Sequence, residues 1–216
     1  MEMLRLLSTV GFDRVTATPH QKASQFLPAW SDVQAAYGAV TESVRAAGLP
    51  LTLGLGAENF WDDVFFTRSQ DGSFPRYDDG KAFLFEITPA EVPIRFEDTL
   101  FHLCARGFRP VMAHPERYAP FWADLDRLAS LGQSCALVVD LGALAGYHGW
   151  RPGRVARKLV LEGLAHAAAS DVHSPTDVRA AAEGIAWIRK KKGEDALQRL
   201  LCDNPRRILA GEEPEA

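Results

Sequence analysis

Five short polar clusters close apolar runs in this chain, and each carries side chains that bind cations or move protons. Thr18-Pro19-His20 follows RVTA, and Gly56-Ala57-Glu58 follows LTLGL. Glu86 closes KAFLFE. Ala113-His114-Pro115-Glu116-Arg117 follows RPVM, and Ser170-Asp171-Val172-His173 follows HAAA. Imidazole and carboxylate are the nitrogen and oxygen ligands that suit hard or borderline divalent metals. Glu58 and Glu86 are 28 residues apart, as are Glu86 and His114. Asp140 follows His114 by 26 residues, and Asp171 follows Asp140 by 31. A strand, a loop and a returning helix take roughly 30 residues. The spacing therefore predicts one candidate ligand per β/α unit at the strand's C-terminal end, where β/α barrels build their active sites.

Each cluster also has a plainer reading. Pro19 beside His20 suits an ordinary turn. Glu58 and Glu86 interrupt apolar strands, where a carboxylate needs a partner or a metal; an arginine such as Arg95 or Arg117 would satisfy it. A helix start at Pro115 accounts for the proline and for Glu116, but not for His114. Asp171 and His173, two apart, point to the same side in extended geometry. An aspartate N-cap is the alternative for Asp171, although Ser174 is better placed for that job. Five strand ends of this kind together favour a shared site. His102 lies within a helical segment and His166 on the opposite rim, whereas His148 lies on the correct rim to touch a substrate.

The elements that must position these groups follow from periodicity and breakers. Helices are expected over residues 2–10, 28–47, 97–106, 120–131, 152–162, 175–192 and 195–201. Strands are expected to end at His20, Glu58, Glu86, His114, Asp140 and Asp171. Residues 59–80 read as a long loop with a short helix around Trp61–Phe66, and GALAGYHG as the loop after the fifth strand. The aromatics Phe60, Trp61, Phe65, Phe66, Phe74 and Tyr77 are either core packing or a lid over an aromatic substrate. Residues 1–210 form one α/β domain and 211–216 a disordered tail.

With 216 residues, 47% apolar and 24% charged, the chain is long enough for a single substantial core. Its net charge of −4 gives no electrostatic reason to expect a nucleic-acid partner. The basic run Arg189–Lys192 reads as a solvated helix end. Cys104, Cys135 and Cys202 are odd in number and widely spaced, so they suggest neither a disulfide framework nor a zinc motif. Reduced thiols, with neither a signal peptide nor a membrane span expected, suit a cytoplasmic protein. A cysteine phosphatase needs an arginine six residues after its nucleophile; those positions hold Pro110, Leu141 and Ile208. No P-loop is present.

The order TPH, GAE, LFE, AHPER, SDVH, DNPRRIL resembles the PHP (polymerase and histidinol phosphatase) superfamily over nearly the whole chain. It is most similar to the bacterial manganese-dependent tyrosine phosphatases of capsular and exopolysaccharide synthesis. The resemblance implies a distorted (β/α)7 barrel. One metal would take Glu58, Glu86 and His114. Glu58 would bridge to a second that takes Asp171, and a third would use His20 and His173. Arg117 would hold the phosphate as the catalytic, substrate-binding residue. The position of Asp140 is usually asparagine in that family.

The family pattern opens with a strand bearing Asp-x-His-x-His and an aspartate-rich loop, whereas this chain opens on the helix that follows them. The expectation is therefore about six β/α units, an open edge near His20 and fewer than three metals. The chain either starts late or is a degenerate relative. The implied chemistry is hydrolysis of a phosphate monoester by a metal-activated water, with Mn2+ as the expected ion. A phosphotyrosine protein, the tyrosine kinase of polysaccharide synthesis, would be the substrate, and a homo-oligomer is compatible with the resemblance. The alternatives are a small-molecule phosphatase of the histidinol-phosphate type and an inactive relative serving as a binding module.

Overall fold

Inward and outward faces alternate along each strand of this protein, and that alternation creates the site. The computed structural model describes residues 1–215. Its elements are α1 (Glu2–Val10), β1 (Arg14–Ala17), β2 (His20–Gln21), α2 (Trp30–Ala46), β3 (Thr52–Leu55), β4 (Glu58–Phe60), α3 (Asp63–Asp71) and β5 (Ala82–Glu86). Next come α4 (Phe96–Ala105), β6 (Arg109–Ala113), α5 (Leu125–Leu131), β7 (Ala136–Asp140), α6 (Leu141–Ala145) and α7 (Trp150–Leu161). The chain ends with β8 (Ala167–Ala169), α8 (Val178–Gln198) and α9 (Asn204–Leu209). Strands β2-β4-β5-β6-β7-β8 form one parallel sheet in that order, and β1 and β3 form a parallel pair. β1 runs on into β2 through Thr18-Pro19, and β3 into β4 through Gly56-Ala57. The amides of Gly56 and Glu58 bond the carbonyls of Ala17 and Pro19 across the break. Six β/α units result. Among the described residues, β2 pairs with β4 alone.

Outward residues Phe83, Phe85, Met112, Leu137 and Val139 have no exposed surface and meet the helices. Burying each such side chain contributes roughly 1.5–3 kcal/mol. The inward set is smaller: Ala82, Val111, Ala136 and Ala167, with Leu84 and Val138 against them and Ile208 of α9 among them. Helix α1 places Leu4 and Leu7 against Val44 and Val178, with Val15, Leu53 and Val172 completing that cluster.

The segment expected as a mostly open loop after β4 is largely structured. Asp62 caps α3 by accepting from the amide of Phe65. Trp61, Phe65 and Phe74 are buried against Phe83, Phe85 and Phe96, with ring centroids 4.7–5.9 Å apart. These aromatics are core packing, not a lid. GALAGYHG opens on a helix rather than a loop, because Asp140 caps α6 through the amide of Gly142. Gly142 within it, Gly146 at its end and its brevity hide that helix in the sequence. Residues 119–121 make a separate turn before α5. Helix α8 breaks at Gly193, where φ is 84°, immediately after the basic run. The tail expected to be disordered is tied at Glu215, whose amide and carbonyl both bond the side chain of Asn204. Ala216 lies outside the described residues.

Helices α6 and α8 meet at Gly184, where a Cβ would lie 2.2 Å from the Leu141 carbonyl oxygen. Backbone cannot yield as a flexible side chain does, so Gly184→Ala is expected to cost about 3 kcal/mol. Gly38, exposed within α2 with nothing within 4 Å of its Cβ position, provides the contrast. There alanine should gain about 0.5–1 kcal/mol of helix propensity. Thermal denaturation of both variants should shift Tm in opposite directions.

Candidate metal centre

Strand register gathers the acidic and imidazole groups. His20 pairs with Glu58, and Glu58 pairs with Leu84; Phe60 pairs with Glu86. Paired residues of a parallel sheet share a face. Leu84 packs with the inward cluster, so His20 and Glu58 point inward at its level and Glu86 two residues further along. Donor atoms of His20, Glu58 and Glu86 lie within 4.8 Å of one another. His20 Nδ1 is 2.8 Å from Glu58 Oε2 and 3.4 Å from Glu86 Oε1. It is buried and, despite those distances, aligned with neither oxygen for a hydrogen bond.

His114 approaches from β6 and reaches the other oxygen, with Nε2 2.8 Å from Glu58 Oε1 and 4.0 Å from Glu86 Oε2. It adopts φ 34°, a left-handed conformation unusual for a non-glycine residue. Tyr118 fixes its ring. The phenol donates to the Ala113 carbonyl at 3.0 Å and lies 3.3 Å from His114 Nδ1. Nε2 lies at hydrogen-bond distance from Glu58 Oε1, so without a cation a proton on Nε2 donates to that carboxylate.

The charge balance of the ion-free cluster follows. Burial disfavours the Glu58 carboxylate, but contacts with His114 and His20 outweigh that and bring its pKa down to about 2. Contacts with Glu58 and then Glu86 push the pKa of His20 up to about 10. Burial opposes the charged form of His114, yet Glu58 overcomes it and raises the pKa.

A second group adjoins the first. Arg117 Nη2 bonds both Asp140 Oδ2 and Asp171 Oδ2, and Nε is buried without a partner. Burial works against the guanidinium charge, but Asp171 and Asp140 hold it protonated. His148 Nε2 lies 2.5 Å from Asp140 Oδ2. Asp171 therefore faces Arg117, while His173 stacks on His20 at 5.9 Å between ring centroids. His20 thus reaches Glu58 and Glu86 on one side and His173 on the other, so the groups that the resemblance assigns to separate ions adjoin one another. Ser174, not Asp171, opens the turn before α8, in a reciprocal cap with Asp177.

Two participants had weak sequence signals. Asp140 ends an apolar strand as the other candidates do, and its buried contact with Arg117 could be suspected only from that position. Glu116 is fully buried; one oxygen accepts from the Asp140 amide and the other has no partner. Burial pushes its pKa up to about 7.

A family model described as "Capsular polysaccharide synthesis, CpsB/CapC" matches residues 1–210. The tyrosine-protein phosphatase CpsB of Streptococcus pneumoniae is 24% identical over 216 residues, covering 92% of this chain and 85% of its own. The tyrosine-protein phosphatase YwqE of Bacillus subtilis is 25% identical over 214 residues, covering 97% and 83%. A solved structure from a study of YwqE and CpsB, described there as unique metal-dependent tyrosine phosphatases, superposes with a TM-score of 0.87. That alignment has 23% identity and covers all of this chain and 90% of the other, which bears out the expected barrel-type α/β fold. The chain belongs to the CpsB/CapC family of capsular polysaccharide synthesis.

Proposed function

We propose that this protein is a metal-dependent protein-tyrosine phosphatase of capsular polysaccharide synthesis. The observation that carries the proposal is the convergence of His20, Glu58, Glu86 and His114 beside Arg117. The donor set fits a divalent cation. Two carboxylates share a small space, His20 Nδ1 has no aligned hydrogen bond, and His114 Nε2 lies 2.8 Å from Glu58 Oε1. His20, Glu58, Glu86 and His114 would hold the cation, with Glu58 between the two imidazoles. Asp171 and His173 stand next to that set. Oxygen and imidazole ligands suit Mn2+, the expected ion.

Bound divalent ions supply a water ionised at neutral pH and charge stabilisation of phosphoryl oxygens. The protein supplies the rest. Arg117 offers a planar fork to two phosphate oxygens, and Asp140 and Asp171 hold it in place before substrate arrives. Tyr118 fixes the orientation of His114. The substrate would be a phosphotyrosine protein, the tyrosine kinase of capsule or exopolysaccharide synthesis, met in the cytoplasm. The expected homo-oligomer is part of the same proposal.

Glu58→Gln removes the bridging charge. It should lower Mn2+ uptake and reduce turnover of a phosphotyrosine peptide by on the order of 10²-fold or more. Elemental analysis with a phosphate-release assay checks both, and full uptake with full activity would refute the ligand set. Arg117→Lys keeps the charge and loses the fork, so activity should fall by about 10²–10³-fold with metal content unchanged.

Protonation gives a further check. The contact of protonated His20 with its carboxylates stabilises the ion-free fold fully below the unfolded pKa of about 6.5, and this is lost as pH rises through about 10. Ligation needs neutral imidazoles. Mn2+ binding at pH 7 should therefore release about one to two protons and tighten as pH rises. Calorimetric titration in two buffers of different ionisation enthalpy measures the release; none would contradict the assignment.

A further inference from the structure

Beside Arg117 lies a carboxylate–imidazole pair, Asp140 and His148, whose imidazole neither metal ligation nor phosphate binding uses. Asp140 is 3% exposed and held from several directions. Its amide donates to Glu116 Oε1 at 3.0 Å, and its Oδ1 accepts from the Gly142 amide at 2.6 Å. Its Oδ2 meets both Arg117 Nη2 and His148 Nε2. Gly142 is what makes room, because a Cβ there would sit 3.2 Å from Asp140 Oδ1 and equally far from His148 Nε2. His148 occupies a short loop between Gly146 and Gly149, whose φ angles of 94° and 91° only glycine adopts readily. This loop turns the imidazole back over the site mouth, 3.1 Å from Arg117 Nη2. With Nε2 held by Asp140, Nδ1 faces away from the carboxylate and has no hydrogen-bond partner among the described residues. The side chain is 39% exposed. The charged groups facing it are Asp140 and Arg117.

Building on the phosphatase reading above, we infer that His148 is the proton donor to the leaving oxygen, and that Asp140 is the positioning residue that aims it. The P–O bond to the tyrosine oxygen breaks and the electron pair stays on that oxygen, which takes the proton from His148 Nδ1. The ionised water provides the new P–O bond. The products are a tyrosine hydroxyl, hydrogen phosphate and neutral His148. Solvent, which took the proton lost when the water ionised, returns one to the imidazole and closes the cycle. An imidazole held by a buried carboxylate is the usual construction for orienting a proton-transfer group. Burial works against ionisation of Asp140, but the contacts with His148 and Arg117 prevail and lower its pKa, so it is present as the anion.

The test compares leaving groups in the Mn2+-loaded protein. p-Nitrophenolate departs readily without a proton, whereas the phenolate of tyrosine, with a pKa of about 10, gains from receiving one. His148→Gln can still donate to Asp140 but cannot release a proton. It should lower kcat on a phosphotyrosine peptide by about 10²-fold, with a several-fold smaller loss on p-nitrophenyl phosphate. Asp140→Asn should show the same split to a lesser degree. Independently of turnover, inorganic phosphate should shift the His148 ring ¹⁵N resonances, and Asp140→Asn should diminish that shift. Equal losses on both substrates, or unmoved His148 resonances, would overturn the assignment while leaving the phosphatase reading intact. Failure of the unaltered protein to hydrolyse either substrate would overturn both.

Discussion

A carboxylate on the inward face of a parallel sheet must be met by positive charge, and Glu58 imposes that demand on the whole mouth of this fold. Its side chain is 6% exposed, and each of its oxygens faces a histidine from a different strand. The surrounding irregularities serve this arrangement. The breaks at Thr18-Pro19 and Gly56-Ala57 separate β1 from β2 and β3 from β4, so His20 and Glu58 begin new strand segments in register. Tyr77 packs against Gly56 so closely that a Cβ would lie 2.7 Å from the ring. Leaving an ionised carboxylate unmatched there would cost more than any of these distortions.

Backbone strain marks the next level of organisation. His114 and Asp171, which follow β6 and β8, have φ of 34° and 45°. Positive φ costs a non-glycine residue roughly 1–2 kcal/mol. In each case a side-chain contact holds the distortion: Tyr118 and Glu58 on His114, Arg117 on Asp171. Both turns bring polar groups to the centre of the mouth.

The sequence made one part of this site legible and hid another. Residue type and near-regular spacing were enough to put Glu86, His114, Asp140 and Asp171 at or just past strand ends, because period-two alternation and β/α length are local properties; His20 and Glu58, expected to end strands, instead open β2 and β4 after a break in the strand. Which group meets which is not local. His20 sits with Glu58 and Glu86 because of cross-strand register, and no single segment encodes that register. Asp171 faces Arg117 because the two turns converge, which spacing along the chain cannot express. Helix α6 was hidden by Gly142 within it and Gly146 at its end, although Asp140 caps it through the amide of Gly142. The aromatics after β4 were visible as a cluster, but their burial depends on the outward faces of β5 and α4, which lie elsewhere in the chain.

The two carboxylates that hold Arg117 are unequal, and the inequality orders events at the site. Asp140 is anchored by the Glu116 carboxylate, the Gly142 amide and His148, and its side chain is 2% exposed. Asp171 is 22% exposed and sits on a strained backbone. Moving Asp140 would strand a helix cap and a buried amide, each costing about 1 kcal/mol or more. Moving Asp171 would relieve strain and let water or a cation take over its oxygens. Arg117 therefore keeps Asp140 as its fixed partner and can surrender Asp171. Under the proposed function, a guanidinium relieved of one of two carboxylates would have a fork free for phosphate, and the released carboxylate would lie beside the proposed ligands, so cation uptake and phosphate binding would draw on the same exchange.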